Sequence, residues 1–348
     1  MSFAAEIITT LCVFVLTYTL TGGIRNYALT RELVDVPNKR SSHNIVTPRG
    51  GGLSFVITFN VSLLAYGYLN NFDSSFLIGV LGSGVLISLV GFIDDHRHIA
   101  AHWRLIVHFL AAIWVLFCFG GFPLVKIGGI QYEFHIVIQI IAAFYLVWLL
   151  NLYNFMDGID GIASLEAITV CLGGIVLYWL AEPTGNTWIV PALLLAAVAG
   201  FLPWNFPQAK IFMGDAGSGF LGLMLGALSI QAAWIAAELF WSWLILLGVF
   251  LVDSTVTLVR RILRKEKFYE AHCSHAYQHA ARQFGSHIPV SISVGFINLL
   301  WLLPIAVLVA LNYLDGIAGL LIACIPLIIL AFYFKAGVSD EVSDGLSE

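Results

Sequence analysis

Asn151, Asn154, Asp157 and Asp160 recur at every third position of Asn151-Leu152-Tyr153-Asn154-Phe155-Met156-Asp157-Gly158-Ile159-Asp160-Gly161. On a helix, neighbours in such a series lie about 60° apart, so consecutive pairs share a face. Amide and carboxylate oxygens are hard ligands that suit Mg2+ or Mn2+. Gly158 and Gly161 let the backbone bend or approach a ligand closely. The competing reading is a helix end with Asx turns, because Asp-Gly is common in turns. Two Asp-Gly pairs preceded by two Asn at matched spacing favour ligand binding.

Three further polar stretches interrupt the chain. Gly91-Phe92-Ile93-Asp94-Asp95 closes an apolar run. Two acids at a helix C-terminus oppose the macrodipole and need a cation, from a metal or from Arg97 or Arg104. Next comes Asn205 through Lys210 to Phe212-Met213-Gly214-Asp215-Ala216-Gly217-Ser218-Gly219. Its glycines permit a tight turn whose N–H groups are expected to face phosphate. Asp215 would supply a metal carboxylate, and Phe212 a face for stacking on a base. Gly-Lys-Ser/Thr is missing, so this is no P-loop; the plainer alternative is a helix-initiating loop capped by Asp215.

The fourth stretch, Ser274-His275-Ala276-Tyr277-Gln278-His279, sets His275 and His279 at i, i+4 on one helix face. The Glu of a His-Glu-x-x-His zinc site is absent. With Arg282 nearby and a basic run from Arg260 to Lys267, phosphate binding fits better; contact with anionic lipid is the alternative. Earlier in the chain, Thr47-Pro48-Arg49-Gly50-Gly51-Gly52 suits close approach to a head group.

The elements that must hold these residues are apolar. The chain is 59% apolar and 11% charged, against about 25% charged in soluble domains. A bilayer-spanning helix needs roughly 20 apolar residues. Eleven runs qualify: Phe3–Leu20, Leu53–Leu69, Phe76–Ile93, Leu105–Phe122, Phe134–Leu152, Ile162–Leu180, Trp188–Leu202, Phe220–Ala236, Leu239–Val259, Val290–Leu311 and Ile317–Phe334. The expectation is an all-α polytopic membrane protein, one domain over 1–338, with a disordered acidic tail over 339–348. The first run lacks a basic n-region and is expected to be a retained helix rather than a cleaved signal.

Placing the N-terminus outside leaves 15 of the 16 Lys and Arg residues on the inner side, with Lys126 alone outside, as the positive-inside rule favours. The C-terminus and all four polar stretches then fall on the cytoplasmic side. Carboxylates gathered at a membrane surface point to a bound partner. The Cys residues show no disulfide or zinc spacing, and nothing suggests nucleic acid as a partner.

In this order, Asp-Asp, Asn-x-x-Asn-Phe-x-Asp-Gly-x-Asp-Gly, Phe-Met-Gly-Asp-x-Gly and a His loop, the chain resembles the polyprenyl-phosphate N-acetylhexosamine-1-phosphate transferases from about Arg31 to His287. Its first loop, Val36-Pro37-Asn38-Lys39-Arg40-Ser41-Ser42-His43 through Gly51, is most similar to the O-antigen-initiating branch. The resemblance implies transfer of a sugar-1-phosphate from a UDP-sugar to undecaprenyl phosphate in a bacterial inner membrane. It implies Mg2+ (with Mn2+ as a substitute) on Asp215 and Asn154, and uracil stacked on Phe212. Asp94 would lie at the lipid-phosphate end, with Asp95, Asp157 and Asp160 shaping the polar site. Asn205, Lys210, Gly214, Arg104, Arg49, His275, His279 and Arg282 would contact substrate. A homodimer is an open option. Where many relatives carry a third acid or amide after the Asp pair, this chain has His96-Arg97-His98.

A multipass secondary transporter is the alternative. It would place polar residues near the midplane, often with repeat symmetry. Asp253, inside the ninth run, would either line a lateral opening to lipid or pair with a neighbouring helix.

Overall fold

The computed structural model describes residues 3–37, 45–97, 99–123, 126–127, 130–131, 135–266 and 273–338. The acidic tail, Lys39, Arg40, His43, His98, Lys267 and His272 lie outside these residues.

Each of the eleven apolar runs folds as helix. In chain order the helices are α1 (Phe3–Thr30), α2 (Leu53–Leu69), α3 (Ser74–His96), α4 (Ala101–Phe119), α5 (His135–Met156), α6 (Ile162–Ala181), α7 (Ile189–Asn205) and α8 (Asp215–Ile235). They continue with α9 (Ala237–Leu246), α10 (Gly248–Leu263), α11 (Ala276–Phe284), α12 (His287–Ile297), α13 (Leu303–Ala310) and α14 (Gly316–Tyr333). A π turn, Asn298–Leu302, joins α12 to α13. Two small antiparallel ribbons, β1 (Val34–Asp35) with β2 (Thr47–Pro48) and β3 (Lys126–Ile127) with β4 (Ile130–Gln131), are the strands among the described residues. In hydrocarbon every backbone polar group must be satisfied within the protein, which selects helix.

Eight helical spans among the described residues are long and apolar enough to cross a membrane; α9 with α10 would make a ninth, and α2 and α7 are shorter apolar helices. α8 is the centre: 83% of its apolar window is buried, against 17% for α1. It packs on α2, α3, α5 and α9. Its glycines and alanines allow the close approach that helix association in lipid depends on.

Three expectations are corrected. The first helix runs on to Thr30, so the first loop is shorter than the apolar pattern implied. Its last turns carry Arg25, whose Nε donates to Lys210 O at 3.1 Å, so polar anchoring extends the helix past the apolar run. The ninth run is not one helix: α9 and α10 meet at 69° around Leu247. The Asn/Asp series does not share a helix, because α5 stops at Met156 and Asp157 and Asp160 lie in the following turn.

Candidate active site

The four polar stretches meet at one end of the bundle. α3 and α8 pack side by side there, bringing the end of one against the start of the other. Arg104 Nη1 donates to Asp94 Oδ2 at 2.6 Å and to Asp215 Oδ2 at 3.1 Å. Asp94 Oδ1 accepts from Ile99 N at 2.6 Å, which fixes the approach to α4. One guanidinium thus bridges two acids, the cation that an Asp pair at a helix C-terminus requires.

Asp95 points the other way. Its Oδ1 accepts from Asp215 N at 3.3 Å, at the first turn of α8. The residue before that helix, Gly214, has no side chain to cap it, so a carboxylate from α3 satisfies an N–H there and complements the dipole. Gly214 has φ +77°, and a Cβ there would sit 2.6 Å from Asp95 Oδ2. Glycine is required at this position for both reasons. Asp95 Oδ2 is buried and has no hydrogen-bond partner. Arg49 donates from Nη2 to Asp95 O and places Nε 4.0 Å from Asp95 Oδ1. The glycine loop after Arg49 is stitched to the Asp215 turn through Gly51 N to Phe212 O and Gly52 N to Met213 O. Phe212 itself is half-buried and Lys210 exposed, with Lys210 Nζ 5.7 Å from the Trp204 ring.

Asn154, on the last turn of α5, donates to Ser218 Oγ at 3.2 Å and to the Asp215 carboxylate. Asp157 lies just beyond. Burial, and then the charges of Asp215, Asp95 and Asp160, hold its carboxyl well above the usual carboxylate range. Asp160 Oδ2 is 3.4 Å from His287 Nδ1, and Asp160 O accepts from Ser291 Oγ at 2.7 Å.

The His loop docks differently from expectation. His275 precedes α11 rather than sharing its face with His279. His275 Nδ1 lies 3.2 Å from Asp253 Oδ1, and His279 Nε2 lies 3.1 Å from Val338 O. Arg282 Nη2 donates to Cys273 O at 3.0 Å. These side chains hold the loop together and are not directed into the acid cluster. What reaches the site is Tyr277, whose Oη donates to Phe155 O at 3.0 Å. A Cβ on Gly158 would collide with that Oη, which explains the glycine after Asp157. Asp253 is buried and pairs with the start of α11, accepting from Ala276 N and Tyr277 N, each at 2.9 Å.

Two further expectations change. Asn205 is buried, with Oδ1 accepting from Gly161 N and Nδ2 donating to Ile211 O, each at 3.1 Å. It latches two loops together. The glycine turn does not offer all its N–H groups to phosphate, because Gly217 N and Ser218 N donate to Gly214 O. Tyr277 was within a motif visible in the sequence but carried no chemical signature; Ser218 and His287 had none either.

The family model of glycosyl transferase family 4 matches residues 77–233, the stretch that carries the Asp94, Asp157 and Asp215 motifs. The probable undecaprenyl-phosphate N-acetylglucosaminyl 1-phosphate transferase of Bacillus subtilis (strain 168) is 28% identical over 295 residues, covering 80% of this chain and 78% of that protein. The decaprenyl-phosphate N-acetylglucosaminephosphotransferase of Mycolicibacterium smegmatis is 34% identical over 245 residues, 63% of this chain and 58% of that protein. A phospho-N-acetylmuramoyl-pentapeptide-transferase of Streptococcus pneumoniae is 29% identical over 253 residues, 68% of this chain and 74% of that protein. Together these likenesses support the polyprenyl-phosphate hexosamine-1-phosphate transferase family for this chain.

Proposed function

We propose that the chain transfers an N-acetylhexosamine-1-phosphate from a UDP-sugar to undecaprenyl phosphate, releasing UMP. The carrying observation is the acid cluster Asp94, Asp95 and Asp215, bracketed by Arg104 and Arg49 at one end of an apolar bundle. That setting lets an isoprenoid stay in lipid while a nucleotide sugar approaches from water. The relatives, whose names describe this class of transfer, support the reading. Polar residues crowded at one end give no support to a transporter, which would hold them near the midplane.

A lipid phosphate oxygen attacks the β-phosphorus of the UDP-sugar; a new P–O bond forms, the bond to the bridging oxygen breaks, and UMP carries away the electron pair. A phosphate monoester has a second pKa near about 6 and is mostly dianionic at neutral pH. A general base is therefore less necessary than positioning and charge neutralisation. Arg104 and Arg49 supply positive charge. Phe212, half-buried, offers a ring to uracil.

The donor set fits Mg2+ or Mn2+. Among the described residues no three of His, Cys, Asp and Glu form a closed metal cage. Mg2+ instead is usually held by one or two carboxylates, waters and substrate phosphates. Asp215, with its side chain 34% exposed, would be that carboxylate, and Asp95 Oδ2 is an acceptor oxygen without a hydrogen-bond partner beside it. Asn154 would join by turning its amide so that the oxygen faces the ion. The ion neutralises charge on the diphosphate when bound.

The pathway proposed is initiation of O-antigen or a related surface polysaccharide, at the cytoplasmic face of a bacterial inner membrane. The one-sided Lys/Arg distribution supports the orientation. Purified protein in detergent is expected to release UMP from one of a panel of UDP-N-acetylhexosamines, dependent on undecaprenyl phosphate and Mg2+. No UMP from any of them overturns the reading. A trapped phospho-aspartyl intermediate on Asp94 or Asp95 overturns direct attack.

A further inference from the structure

After α14 the chain turns back against the protein. Lys335 takes φ +56°, Lys335 N donates to Phe332 O at 3.0 Å and Ala336 N donates to Ala331 O at 2.9 Å. A left-handed residue flanked by those two bonds closes a helix end and redirects the chain. Ala336 and Val338 are then 0% and 4% exposed.

Buried backbone groups need partners, and α10 and the His loop supply them. Arg260 Nη1 donates to Ala336 O. Gly337 N donates to Ser274 O at 2.6 Å. His279 Nε2 lies 3.1 Å from Val338 O, and its Nδ1 lies 3.1 Å from Arg282 Nη2. A neutral ring with its proton on Nε2 satisfies both contacts. Gly337 has φ +73°, and a Cβ there would sit 2.8 Å from Arg260 Cβ and 2.9 Å from Thr257 O. Glycine is required where the segment crosses α10.

α11 has nine residues. Isolated helices shorter than about 12–15 residues are marginal, so contacts from outside must set its place. Asp253 on α10 holds its start through Ala276 N and Tyr277 N. The segment after α14 holds Ser274 and His279, on either side of Tyr277 in the chain. Phe334 packs on Phe284 at the far end of α11, ring centroids 6.3 Å apart. Tyr277 Oη in turn donates to Phe155 O, two residues before Asp157.

We infer that Lys335–Val338 is a positioning strap for the proposed transfer. It clamps the His loop and α11 against α10 and so keeps Tyr277 seated on the Asp157 turn. Arg260 acts through it, on a backbone carbonyl. The basic run that the sequence offered to phosphate thus gives its first guanidinium to the protein's own backbone. The kinetic consequence rests on the transfer proposed above; the effect on the loop does not.

Two readouts on the full-length protein in detergent test this. One is UMP release together with UDP-sugar binding; the other is hydrogen exchange of residues 274–284, which needs no activity. Gly337→Val places a branched side chain where a Cβ already collides. It is expected to lower kcat by about tenfold to a hundredfold, the cost of misplacing a site by an ångström or less. KM for the UDP-sugar should stay within about twofold. UDP-sugar should bind at wild-type stoichiometry, which a loss of folded protein would reduce. Exchange of 274–284 should rise about tenfold or more, with α8 unchanged. Arg260→Met removes the donor to Ala336 O while keeping the stem, and should show the same changes in weaker form, about threefold to tenfold in kcat. Arg260→Lys keeps a donor and should stay within about twofold of wild type in both readouts. The Arg260 pair decides the matter if Gly337→Val does not fold. Wild-type kcat and protection in a folded Gly337→Val or in Arg260→Met would overturn the inference. So would an Arg260→Lys variant as impaired as Arg260→Met, lost activity with unchanged exchange of 274–284, or exchange that rises equally in α8. If the wild type releases no UMP, the proposed transfer fails and exchange alone decides on the strap.

Discussion

Asp95 and Asp253 perform the same structural act in two regions: each carboxylate reaches from one helix to accept N–H groups at the start of another. The difference lies in what remains over. Asp253 Oδ1 accepts Ala276 N at 2.9 Å and Thr257 Oγ1 at 3.1 Å and faces His275, while Oδ2 takes Tyr277 N at 2.9 Å. Both oxygens are engaged, and the residue is scaffold. Asp95 leaves Oδ2 buried without a partner, beside a half-exposed Asp215 and two arginines. A saturated buried carboxylate fixes a loop; an unsaturated one keeps an acceptor oxygen open where an ion can use it.

The comparison breaks first at Asp215. Asp215→Ala is expected to lower kcat for UMP release by about a thousandfold, the upper range for loss of one electrostatic group. Full activity in that variant would remove Asp215 from the chemistry. The paired substitution is sharper. Asp95→Asn keeps an acceptor for Asp215 N and removes the charge, so kcat should fall about a hundredfold with little change in melting temperature. Asp253→Asn should destabilise the protein by about 2–3 kcal/mol, by mismatching an amide to several donors. Its signature is a lower melting midpoint and faster exchange in 274–284. If the two variants exchange these signatures, the division into site and scaffold is wrong.

Gly214→Ala tests whether close packing maintains the unsaturated state. Positive φ and the 2.6 Å approach to Asp95 Oδ2 predict a loss of about 1–2 kcal/mol. Differential scanning of the detergent-solubilised protein would measure it, with Gly158→Ala as the partner on the Tyr277 side. The smallest effect concerns pH. Asp157 has its pKa raised in the folded protein, so the fold binds its proton more tightly than the unfolded chain does. The associated stability is fully present below the unfolded value of about 3.9 and is lost as pH rises through the raised one. Asp157→Asn should flatten that decline in melting temperature, measured without divalent cations. An unchanged slope would show that Asp157 does not hold its proton.

Much of this was legible in the amino-acid order. Each of the eleven apolar runs was legible as helix because lipid permits few other structures, though eight or nine spans among the described residues are long enough to cross a membrane. Asp94, Asp157 and Asp215 stood out because a charge beside such runs needs a reason. The end of α5 at Met156 was not legible, since spacing alone cannot tell a helical series from one that continues into a turn. His275 and His279 misled for a related reason: i, i+4 spacing reports a shared face only where both residues are inside the helix.

The sequence by itself determined which runs are helical and where the acids lie among them, both of which depend on local composition. Tertiary structure decided which acid is saturated. That depends on partners 120 residues away for Asp95 and Asp215, and 24 for Asp253 and Tyr277. The break between α9 and α10 belongs to the same category. A helix start within an apolar run leaves no composition signal.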